Sequence, residues 1–583
     1  MASLLLSRRD LDFLLHEWLD VCSFTSRERY ADHSRETFDA VLDLAEQIAT
    51  RDFASHNRRS DDEEPVFDGE RVTVHEEVGR ALKRYADAGM VGAGMPYEVG
   101  GMQLPATLTQ ATMAWFLAAN VGTSAYPFLT IANANLLQAY GTPEQVEAYV
   151  KPMVEGRFFG TMCLSEPQAG SSLADITTRA EPQDDGSYRL FGNKMWISAG
   201  DHELSENIVH LVLAKIPGGP TGAKGISLLL VPKVLPDGER NDVVLAGINH
   251  KMGYRGTVNA MLNFGERGGA VGWLVGEPHK GLTYMFHMMN EARIGVGLGA
   301  TALGYTGYLH ALDYARQRPQ GRPVDNKNPD TPMVPIIEHP DVRRMLLASK
   351  SYVEGSLALN LYCGRLVDEE RTGPDGERAH LLLELLTPIA KSWPSQWCLA
   401  ANDHAIQVHG GYGYTREYPV EQLYRDNRLN AIHEGTHGIQ ALDLLGRKVL
   451  MQGGAGLALL AQTIDETVAR AMAEGGDGAS YAQVLRGSVE RVVEVTQKVW
   501  GAGDVALSLA NASVYLEAVG HVVIAWMWLE QLLATAGKEG AFYDGKRQAA
   551  RYFFAWELPK TGPQLDLLAS LDRTTLDMPA NAF

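Results

Sequence analysis

Cysteine is scarce in this chain. Only four occur among 583 residues, Cys22, Cys163, Cys363 and Cys398, and none forms a C-x-x-C pair. This spacing argues against a disulfide framework and against a redox dithiol, and it favours a reducing compartment. Lone cysteines are usually small core residues, so we do not expect a cysteine nucleophile. We expect the protein to be cytoplasmic.

The sequence also lacks an export signal and a long uninterrupted apolar run. The first residues do not show the basic-then-apolar order of a signal peptide. The most apolar late stretch, 518–533, is interrupted by His521, Glu530 and Gln531. It is therefore shorter than the roughly 18–20 apolar residues that a membrane span needs. We expect no transmembrane segment and interpret this stretch as a buried bundle helix.

Basic residues are in deficit, with 52 lysines and arginines against 71 acidic residues and a net charge of −19. An acidic surface argues against nucleic acid or an anionic membrane as the main partner. A phosphorylated ligand is still compatible, because local arginines and helix N-termini can bind phosphate. The hydrophobic content of 45% is typical of a globular chain, whose length predicts three to four domains.

The spacing of apolar residues predicts an α+β protein in four parts. Residues 1–157 read as a helical domain and 453–583 as an appended helical domain after a glycine-rich break. Short β-type runs over 158–278 lack long intervening helices, which favours a small antiparallel sheet. Long helical segments over 279–452 predict a helix bundle. Since ligand clefts favour domain junctions, we expect a cofactor where these domains meet.

Two local signals in the helical part can be compared directly with a structure. The charged run 57–64 is interpreted as a solvated loop. Thr142 followed by Pro143 is interpreted as a helix start, with threonine as the N-cap and proline at the first helical position.

Two segments of the β region suit a flat or phosphorylated ligand. Residues 162–172 run from a strand into a turn rich in small residues, whose backbone N–H groups can bind a ring edge or a phosphate. In 192–198, strand alternation puts Trp196 and Ser198 on one face. An indole beside a hydroxyl suits packing on a planar cofactor with a donor near a ring heteroatom. An ordinary turn and a core tryptophan are the competing interpretations.

A third segment carries a candidate base. Adjacent glycines at 410 and 411 let the backbone approach a ligand closely. Glu434 precedes Gly435 at a predicted break in structure, between apolar neighbours. A partly desolvated carboxylate near a thioester α-carbon can act as a general base.

The order and spacing of these three segments resemble the acyl-CoA dehydrogenase family over about residues 80–450. Within that family the chain is similar to the longer type with an appended helical domain, which includes enzymes for 3-methylmercaptopropionyl-CoA and for fatty acyl-CoAs. The resemblance implies an FAD-dependent enzyme of β-oxidation that converts a fatty acyl-CoA to a trans-2-enoyl-CoA. It also implies that an electron-transfer flavoprotein accepts the electrons, and that the protein is a homodimer, since family FAD sites are shared between subunits.

The resemblance further implies roles for individual residues. Glu434 would remove the α-proton. The residues that would contact FAD are Leu164, Ser165, Ser171, Trp196, Ser198, Arg318, Gln320, Gln407, Gly410, Gly411 and Thr436. Those that would lie at the acyl-CoA are Ser171, Asn290, Arg293 and Gly435. The chain departs from the family pattern at three positions. Ser172 stands where Asp is common, Gly438 where Gln is common, and Gln320 where Thr is common.

A zinc metalloprotease is a rival interpretation, because residues 433–437 match H-E-x-x-H. That motif must lie on a helix for both histidines to face one metal. Gly435 and the β-branched Thr436 weaken such a helix. Glu466 is the available distant third ligand.

A dinucleotide fingerprint, an oxidase and a scaffold without chemistry are also compatible with parts of the sequence. Residues 295–300 read G-x-G-x-G-A, yet no strand run precedes them as a dinucleotide fingerprint requires, so close helix packing is the favoured interpretation. A sibling oxidase would pass electrons to oxygen, and a scaffold would have lost the chemistry. The substrate could also be 3-methylmercaptopropionyl-CoA or another short substituted acyl-CoA.

Overall fold

Helices carry most of the chain, and an eight-stranded sheet lies in its middle. The computed structural model describes residues 3–326 and 328–583. The chain divides into two compact units. The sheet unit comprises 28–105 and 115–292, and the bundle unit comprises 3–27, 106–114 and 293–583. The predicted α+β class is confirmed, whereas the division into four domains stays a prediction.

Fourteen helices of nine or more residues can be followed in the described chain. In order they are α1 (Arg35–Ile48), α2 (Glu76–Asp87), α3 (Ala106–Ala119), α4 (Val121–Tyr140), α5 (Gly281–Gln317), α6 (Pro340–Thr372), α7 (Gly376–His409), α8 (Val420–Arg428), α9 (His437–Gly446), α10 (Ala455–Glu474), α11 (Gly476–Gly501), α12 (Ala512–Ala534), α13 (Ala541–Tyr552) and α14 (Thr561–Ala569).

The strands form a small hairpin and the main sheet. The hairpin pairs β1 (Val66–Phe67) with β2 (Val72–Thr73). The sheet contains β3 (Phe158–Cys163), β4 (Arg179–Pro182), β5 (Tyr188–Ser198), β6 (Asn207–Lys215), β7 (Ile226–Pro232), β8 (Val243–Ile248), β9 (Asn259–Phe264) and β10 (Ala270–Leu274). Its order is β10-β7-β6-β4-β5-β9-β8, with β3 also on β6 and β10 also on β5.

Antiparallel pairing predominates in this sheet, as predicted, but the sheet is mixed. β3 pairs in parallel with β6, from Phe158 opposite Asn207 to Cys163 opposite Val212. β4 meets β6 in parallel at one position, Arg179 opposite Lys215. Parallel neighbours need a long connection, and the segment between β3 and β6 supplies it because it contains the β4–β5 hairpin.

The interpretation of 57–64 as a solvated loop is wrong, since Asn57–Asp62 is helical and Ser60 and Asp61 are buried. Two charges of this run, those of Asp61 and Glu64, lie against the loop between β8 and β9. Glu64 accepts from Arg255 and lies 2.8 Å from His250 Nδ1. Partners that far along the chain leave no signal in the local sequence.

The helix start at Thr142 is confirmed. The Thr142 hydroxyl accepts from the Gln145 backbone N–H at 3.2 Å, and the Gln145 side chain accepts from the Thr142 N–H at 3.0 Å. Pro143 occupies the first helical position. This reciprocal pair is a capping box, which satisfies two backbone donors at the helix end.

The glycines of 295–300 pack helices rather than bind a dinucleotide. They lie well inside α5, which begins at Gly281, so they do not form the turn between a strand and a helix that a dinucleotide fingerprint requires. A Cβ at Gly297 would lie 1.8 Å from the Ala390 carbonyl oxygen on α7. Pro394, four residues on, has no N–H to offer that carbonyl, so the two backbones can approach there. The predicted close packing is confirmed and the dinucleotide interpretation is wrong.

One helix in the described chain, α12, is long and apolar enough to cross a membrane by length and composition alone. Within its most apolar window, 83% of the residues are buried. Trp526 and Trp528 on this helix are among the largest fully buried side chains. This burial is typical of a core helix, as the sequence predicted.

Candidate active site

Glu434 lies in a left-handed turn between α8 and α9. Its φ is 54° and that of Gly435 is 88°. Thr436 then caps α9, where its hydroxyl accepts from the Ile439 N–H at 3.4 Å. A non-glycine residue in the left-handed region costs about 1–3 kcal/mol, and such strain clusters at functional sites.

Two side chains hold the carbonyls of this turn. Lys391 Nζ on α7 donates to the Gly435 carbonyl at 2.7 Å. Gln440 Nε2 on α9 donates to the Glu434 carbonyl at 3.0 Å and to the Gly435 carbonyl at 3.4 Å. The turn therefore has its carbonyl oxygens bonded. In the described part of the chain, the N–H groups of Glu434 and Gly435 have no acceptor.

The surroundings of the Glu434 carboxyl group shift its pKa. Burial raises the pKa of Glu434 above its ordinary value, and the positive charges of Arg293 and Lys391 oppose that rise. Arg293, on α5, is buried and donates to Asp443 at 2.9 Å. Among residues 3–326 and 328–583, no side chain hydrogen-bonds the Glu434 carboxylate. Its oxygens are thus available to a substrate.

A chain of amides anchors the loop before the turn. His433 Nε2 lies 3.0 Å from the Asn430 amide oxygen, and Asn430 donates to Asn427 at 2.9 Å. Asn427 donates to Asn402 at 2.7 Å and to the Ala300 carbonyl at 3.0 Å. Because Asn402 lies on α7 and Ala300 on α5, this network ties the loop to two bundle helices.

The zinc protease interpretation is wrong. Its motif is not helical, because α9 begins only at His437 and the two residues before Thr436 are left-handed. His433 is engaged by an asparagine. No group of metal-compatible side chains found in the described chain includes either histidine.

A cavity of about 440 Å³ lies in the bundle unit, at the end of α5 and the end of α7. It brings together four residues predicted to contact FAD, Arg318, Gln320, Gly410 and Gly411. Gln407 is exposed on α7 one residue before the lining begins at Val408. Thr436 does not line this cavity and serves instead as the helix cap described above.

Aromatic rings form one wall of the cavity. Tyr314 stacks on His409, with ring centroids 4.3 Å apart. The Arg318 guanidinium lies 5.9 Å from the Tyr412 ring centroid. Nothing lies within 4 Å of the Cβ position at Gly410 or at Gly411, so their backbone faces open space. An arginine, open glycine backbone and aromatic faces suit a ligand with both phosphate and ring parts.

In the sheet unit, a buried ion pair fixes the loop that follows β3. Lys194 Nζ on β5 donates to the Leu164 carbonyl and to the Glu166 carboxylate, both at 2.9 Å. The side chains of this pair are 0% and 1% exposed. Glu166 also accepts from Thr177 and Thr178 at 2.6–3.0 Å.

Residues of this loop that the sequence singled out differ in exposure. Leu164 and Ser165 are half-buried, and Ser171 is exposed. The Ser165 carbonyl accepts from the Met195 N–H at 3.0 Å, which joins the loop to β5. Asn290 is half-buried on α5.

Trp196 sits in a β-bulge. The pairing of β5 with β9 shifts between Lys194 and Ile197, and the φ of Trp196 is 65°. Strict alternation would put Trp196 on the buried face with Lys194, but the extra residue turns it out, and it is 58% exposed. Ser198 is half-buried and accepts from Asn259 Nδ2 at 3.4 Å.

Sequence reasoning missed Lys391, Gln440 and the role of Lys194 with Glu166. Lys391 carried a usable signal, since it is the only charged residue from 385 to 402. A lone lysine in an apolar helix is almost never buried without a partner, so it marks a site. No pattern in the sequence pointed to Gln440.

Comparisons with known proteins match nearly the whole chain. Four family models match in series: the acyl-CoA dehydrogenase N-terminal, middle and C-terminal domains at 35–157, 161–266 and 279–450, and an acetyl-CoA dehydrogenase C-terminal-like domain at 460–579. The chain is 35% identical to a 3-methylmercaptopropionyl-CoA dehydrogenase of Ruegeria pomeroyi, over 94% of each chain. It is 33% identical to the broad-specificity linear acyl-CoA dehydrogenase FadE5 of Mycobacterium tuberculosis, over 99% of each.

Solved structures show the same fold. The Caenorhabditis elegans ACDH-11 complex with C11-CoA has a TM-score of 0.78 and 18% identity, and the match covers 97% of this chain and 91% of that one. An acyl-CoA dehydrogenase complexed with FAD from Bacillus anthracis has a TM-score of 0.75 and 20% identity, over 97% and 95%. At these identities the likeness concerns the fold alone.

Proposed function

Because the chain belongs to the acyl-CoA dehydrogenase family, we propose that it oxidises the Cα–Cβ bond of a fatty acyl-CoA to a trans-2-enoyl-CoA, with Glu434 as the base. Acyl-CoA dehydrogenases are FAD-dependent, and this chain is an FAD enzyme of that family. The observation that carries the proposal is the carboxylate of Glu434, which has a raised pKa, no side-chain partner in the described chain and a strained, well-held backbone.

The residues of this chain fit FAD. Arg318, Gln320, Gly410 and Gly411 offer a charge, an amide and open backbone around a cavity large enough for part of a dinucleotide. The exposed indole of Trp196 offers a flat apolar face for the ring system. Further contacts are assigned to Leu164, Ser165, Ser171, Ser198, Gln407 and Thr436. When bound, FAD supplies the acceptor for the hydride that leaves the β-carbon.

Glu434 takes the α-proton, which is weakly acidic and needs help to leave. Negative charge then develops on the thioester oxygen. The turn offers two backbone N–H groups that have no acceptor among the described residues, those of Glu434 and Gly435, while Lys391 and Gln440 bond its carbonyls. One such donor is worth about 3–4 kcal/mol in other enzymes. Arg293, close to the base, is held by Asp443 and contributes positive charge.

A second substrate candidate is 3-methylmercaptopropionyl-CoA or another short substituted acyl-CoA. The 35% identity to a dehydrogenase of that name over nearly the whole chain favours it. A panel of linear, branched and sulfur-containing acyl-CoAs decides between the two, because the preferred substrate reduces the flavin at the lowest concentration.

We also assign the wider context of the reaction. An electron-transfer flavoprotein accepts the electrons, the enzyme works as a homodimer in the cytoplasm, and the pathway is β-oxidation. Rapid release of hydrogen peroxide in air would instead indicate an oxidase. Sedimentation of the purified enzyme measures its mass and so tests whether it is a dimer.

The test replaces the base. Wild-type holoenzyme is expected to be yellow and to bleach without oxygen when a substrate is added. Glu434→Gln is expected to keep FAD and bind the same thioesters, yet bleach about 10²–10⁴ times more slowly, because the proton acceptor is gone. Stopped-flow absorbance measures the rate.

Glu466→Gln is the matched control. Glu466 is exposed and paired with Arg378, so its loss should leave the bleaching rate unchanged. Bleaching of Glu434→Gln at the wild-type rate would assign the base to another residue. A wild-type protein that binds no flavin would contradict the proposed function itself.

A further inference from the structure

Lys391 is fully buried on α7, with 0% of its surface exposed. In the described chain its ammonium group has a single hydrogen-bond acceptor, the Gly435 carbonyl at 2.7 Å. No carboxylate described there lies within the 4.0 Å of an ion pair with it. Burying a charge without a partner is costly, so packing alone is a poor account of this lysine.

Several titratable groups interact electrostatically with Lys391. They are Arg293 on α5, His433 and Glu434 in the turn, and His437 on α9. Asp443 is already bonded to Arg293 and Arg447. Glu434 is thus the anion left to balance the lysine. Burial and Arg293 lower the pKa of Lys391 to about 7, and Glu434 opposes that change.

We propose that Lys391 is a positioning residue for the catalytic base, whose ammonium group holds the Glu434–Gly435 turn in its left-handed form through the Gly435 carbonyl. This inference rests on the proposed role of Glu434 as the base. It adds a second effect of the same group, since the positive charge favours the ionised form of Glu434.

The geometry explains why the contact matters. The lysine bonds the carbonyl of the second left-handed residue, and Gln440 bonds the carbonyl of the first. With both carbonyls fixed, the peptide planes keep their N–H groups and the carboxylate in one orientation. A misplacement of about 1 Å at a reacting group can cost 10²-fold in rate.

The kinetic test compares Lys391→Met with Lys391→Arg in the holoenzyme. Lys391→Met removes donor and charge, so kcat should fall about 10- to 100-fold with little change in KM. Removing a positive charge raises the pKa of Glu434 further. In the plot of kcat/KM against pH, the acidic limb should therefore move to higher pH. Lys391→Arg keeps a charge and should return the limb towards the wild-type position.

Lys448→Met is the matched control, because Lys448 is also fully buried but pairs with Glu384. It should lower stability without moving the pH limb. An unmoved limb together with an unchanged kcat in Lys391→Met would overturn the proposal. If Lys391→Met does not fold, Lys391→Gln, which keeps a donor and loses the charge, is measured in the same way.

A spectroscopic titration separates this inference from the proposed function. The infrared carboxyl band of Glu434, obtained by subtracting Glu434→Gln, is followed with pH in wild type and in Lys391→Met. A higher midpoint in the variant supports the role of Lys391, and identical midpoints overturn it. This reading needs no substrate. Failure of every acyl-CoA to bleach the wild type would instead refute the proposed function.

Discussion

Glu434 and Gly435 occupy the left-handed region in succession. Glycine adopts this region at no steric cost, whereas glutamate is strained there. The strain at Glu434 is offset by bonds from Lys391, Gln440 and the Thr436 cap. At the scale of the residue, the Glu434 carboxylate is thus held by its backbone, and no side chain in the described part of the molecule hydrogen-bonds its oxygens.

Gly435→Ala tests this turn. A Cβ at position 435 would lie 2.5 Å from Gln440 Nε2. The φ of Gly435 is also 88°, a value that alanine rarely adopts. We expect the substitution to cost about 1–3 kcal/mol and to slow flavin bleaching by about 10²-fold, because the base moves. Thermal melting and stopped-flow absorbance measure the two effects.

Gly438→Ala is the control for that change. Its Cβ would meet only the Thr436 hydroxyl, at 4.0 Å, and it lies in the first turn of α9. Alanine is the better helix former by about 0.8–1.0 kcal/mol, so this variant should be as stable as wild type or more so. Equal bleaching rates in Gly435→Ala and Gly438→Ala would contradict the role of the turn.

At the scale of the element, the pair of Lys194 and Glu166 ties the loop after β3 to the bulged strand β5. The carboxylate accepts from Thr177 and Thr178 as well, so all its bonding capacity lies inside the protein. The charge of Lys194 and these donors overcome burial and lower the pKa of Glu166 to about 2. The pair therefore positions the two segments of the sheet unit that are proposed to contact the flavin relative to each other.

Lys194→Met is expected to leave Glu166 buried without its cation. Removing one partner of a buried pair costs about 3–5 kcal/mol, and we expect weaker FAD retention as well. In the wild type, the contribution of Glu166 to stability is present above its ordinary pKa of 4.5 and is lost as the pH falls towards 2. Melting curves recorded at decreasing pH measure the loss of stability in the variant and the pH dependence in the wild type.

Glu181→Gln supplies the comparison, because it breaks the exposed pair of Glu181 with Arg179 on neighbouring β4. Exposed pairs contribute about 0–1 kcal/mol, so little change is expected. If Lys194→Met and Glu181→Gln had the same melting temperature and retained FAD equally well, the pair of Lys194 and Glu166 would not anchor the loop after β3.

At the scale of the whole molecule, residues 453–583 are integrated into the bundle unit by buried polar contacts. Lys546 on α13 lies 2.5 Å from Asp10 and 2.9 Å from Glu354 on α6. Tyr305 on α5 donates to Asp10 at 2.9 Å. The Trp528 indole N–H donates to the Ser351 carbonyl at 3.0 Å. The C-terminal residues thus complete a core that the N-terminal segment and the bundle share.

Lys546→Met tests this integration. Two buried carboxylates would lose their common cation, at a cost of about 3–5 kcal/mol, so the melting temperature and the resistance to proteolysis should fall. Lys498→Met changes an exposed lysine on α11 and should leave both unchanged. Identical proteolysis of the two variants would show that the buried cluster does not hold these residues in place.

Much of the fold and part of the site could be predicted from the sequence alone. The α+β class, the capping box at Thr142, the helix packing at Gly297 and the glycines around the cavity are recorded in local spacing. Glu434 was predicted to be the base because it precedes a glycine within a family motif. These features depend on neighbours within a few residues, so periodicity and turn chemistry predict them.

Only the tertiary structure decided the rest. The contact of Glu64, just after the helix at 57–62, with Arg255 joins distant parts of the chain, and the exposure of Trp196 depends on an extra residue against β9. The contact of Lys391 with Gly435 spans 44 residues of sequence. No local pattern encodes which carbonyl a buried lysine meets, because that choice is fixed by how helices pack. The sequence thus singled out Glu434 as the proposed base, and packing determined what holds it in place.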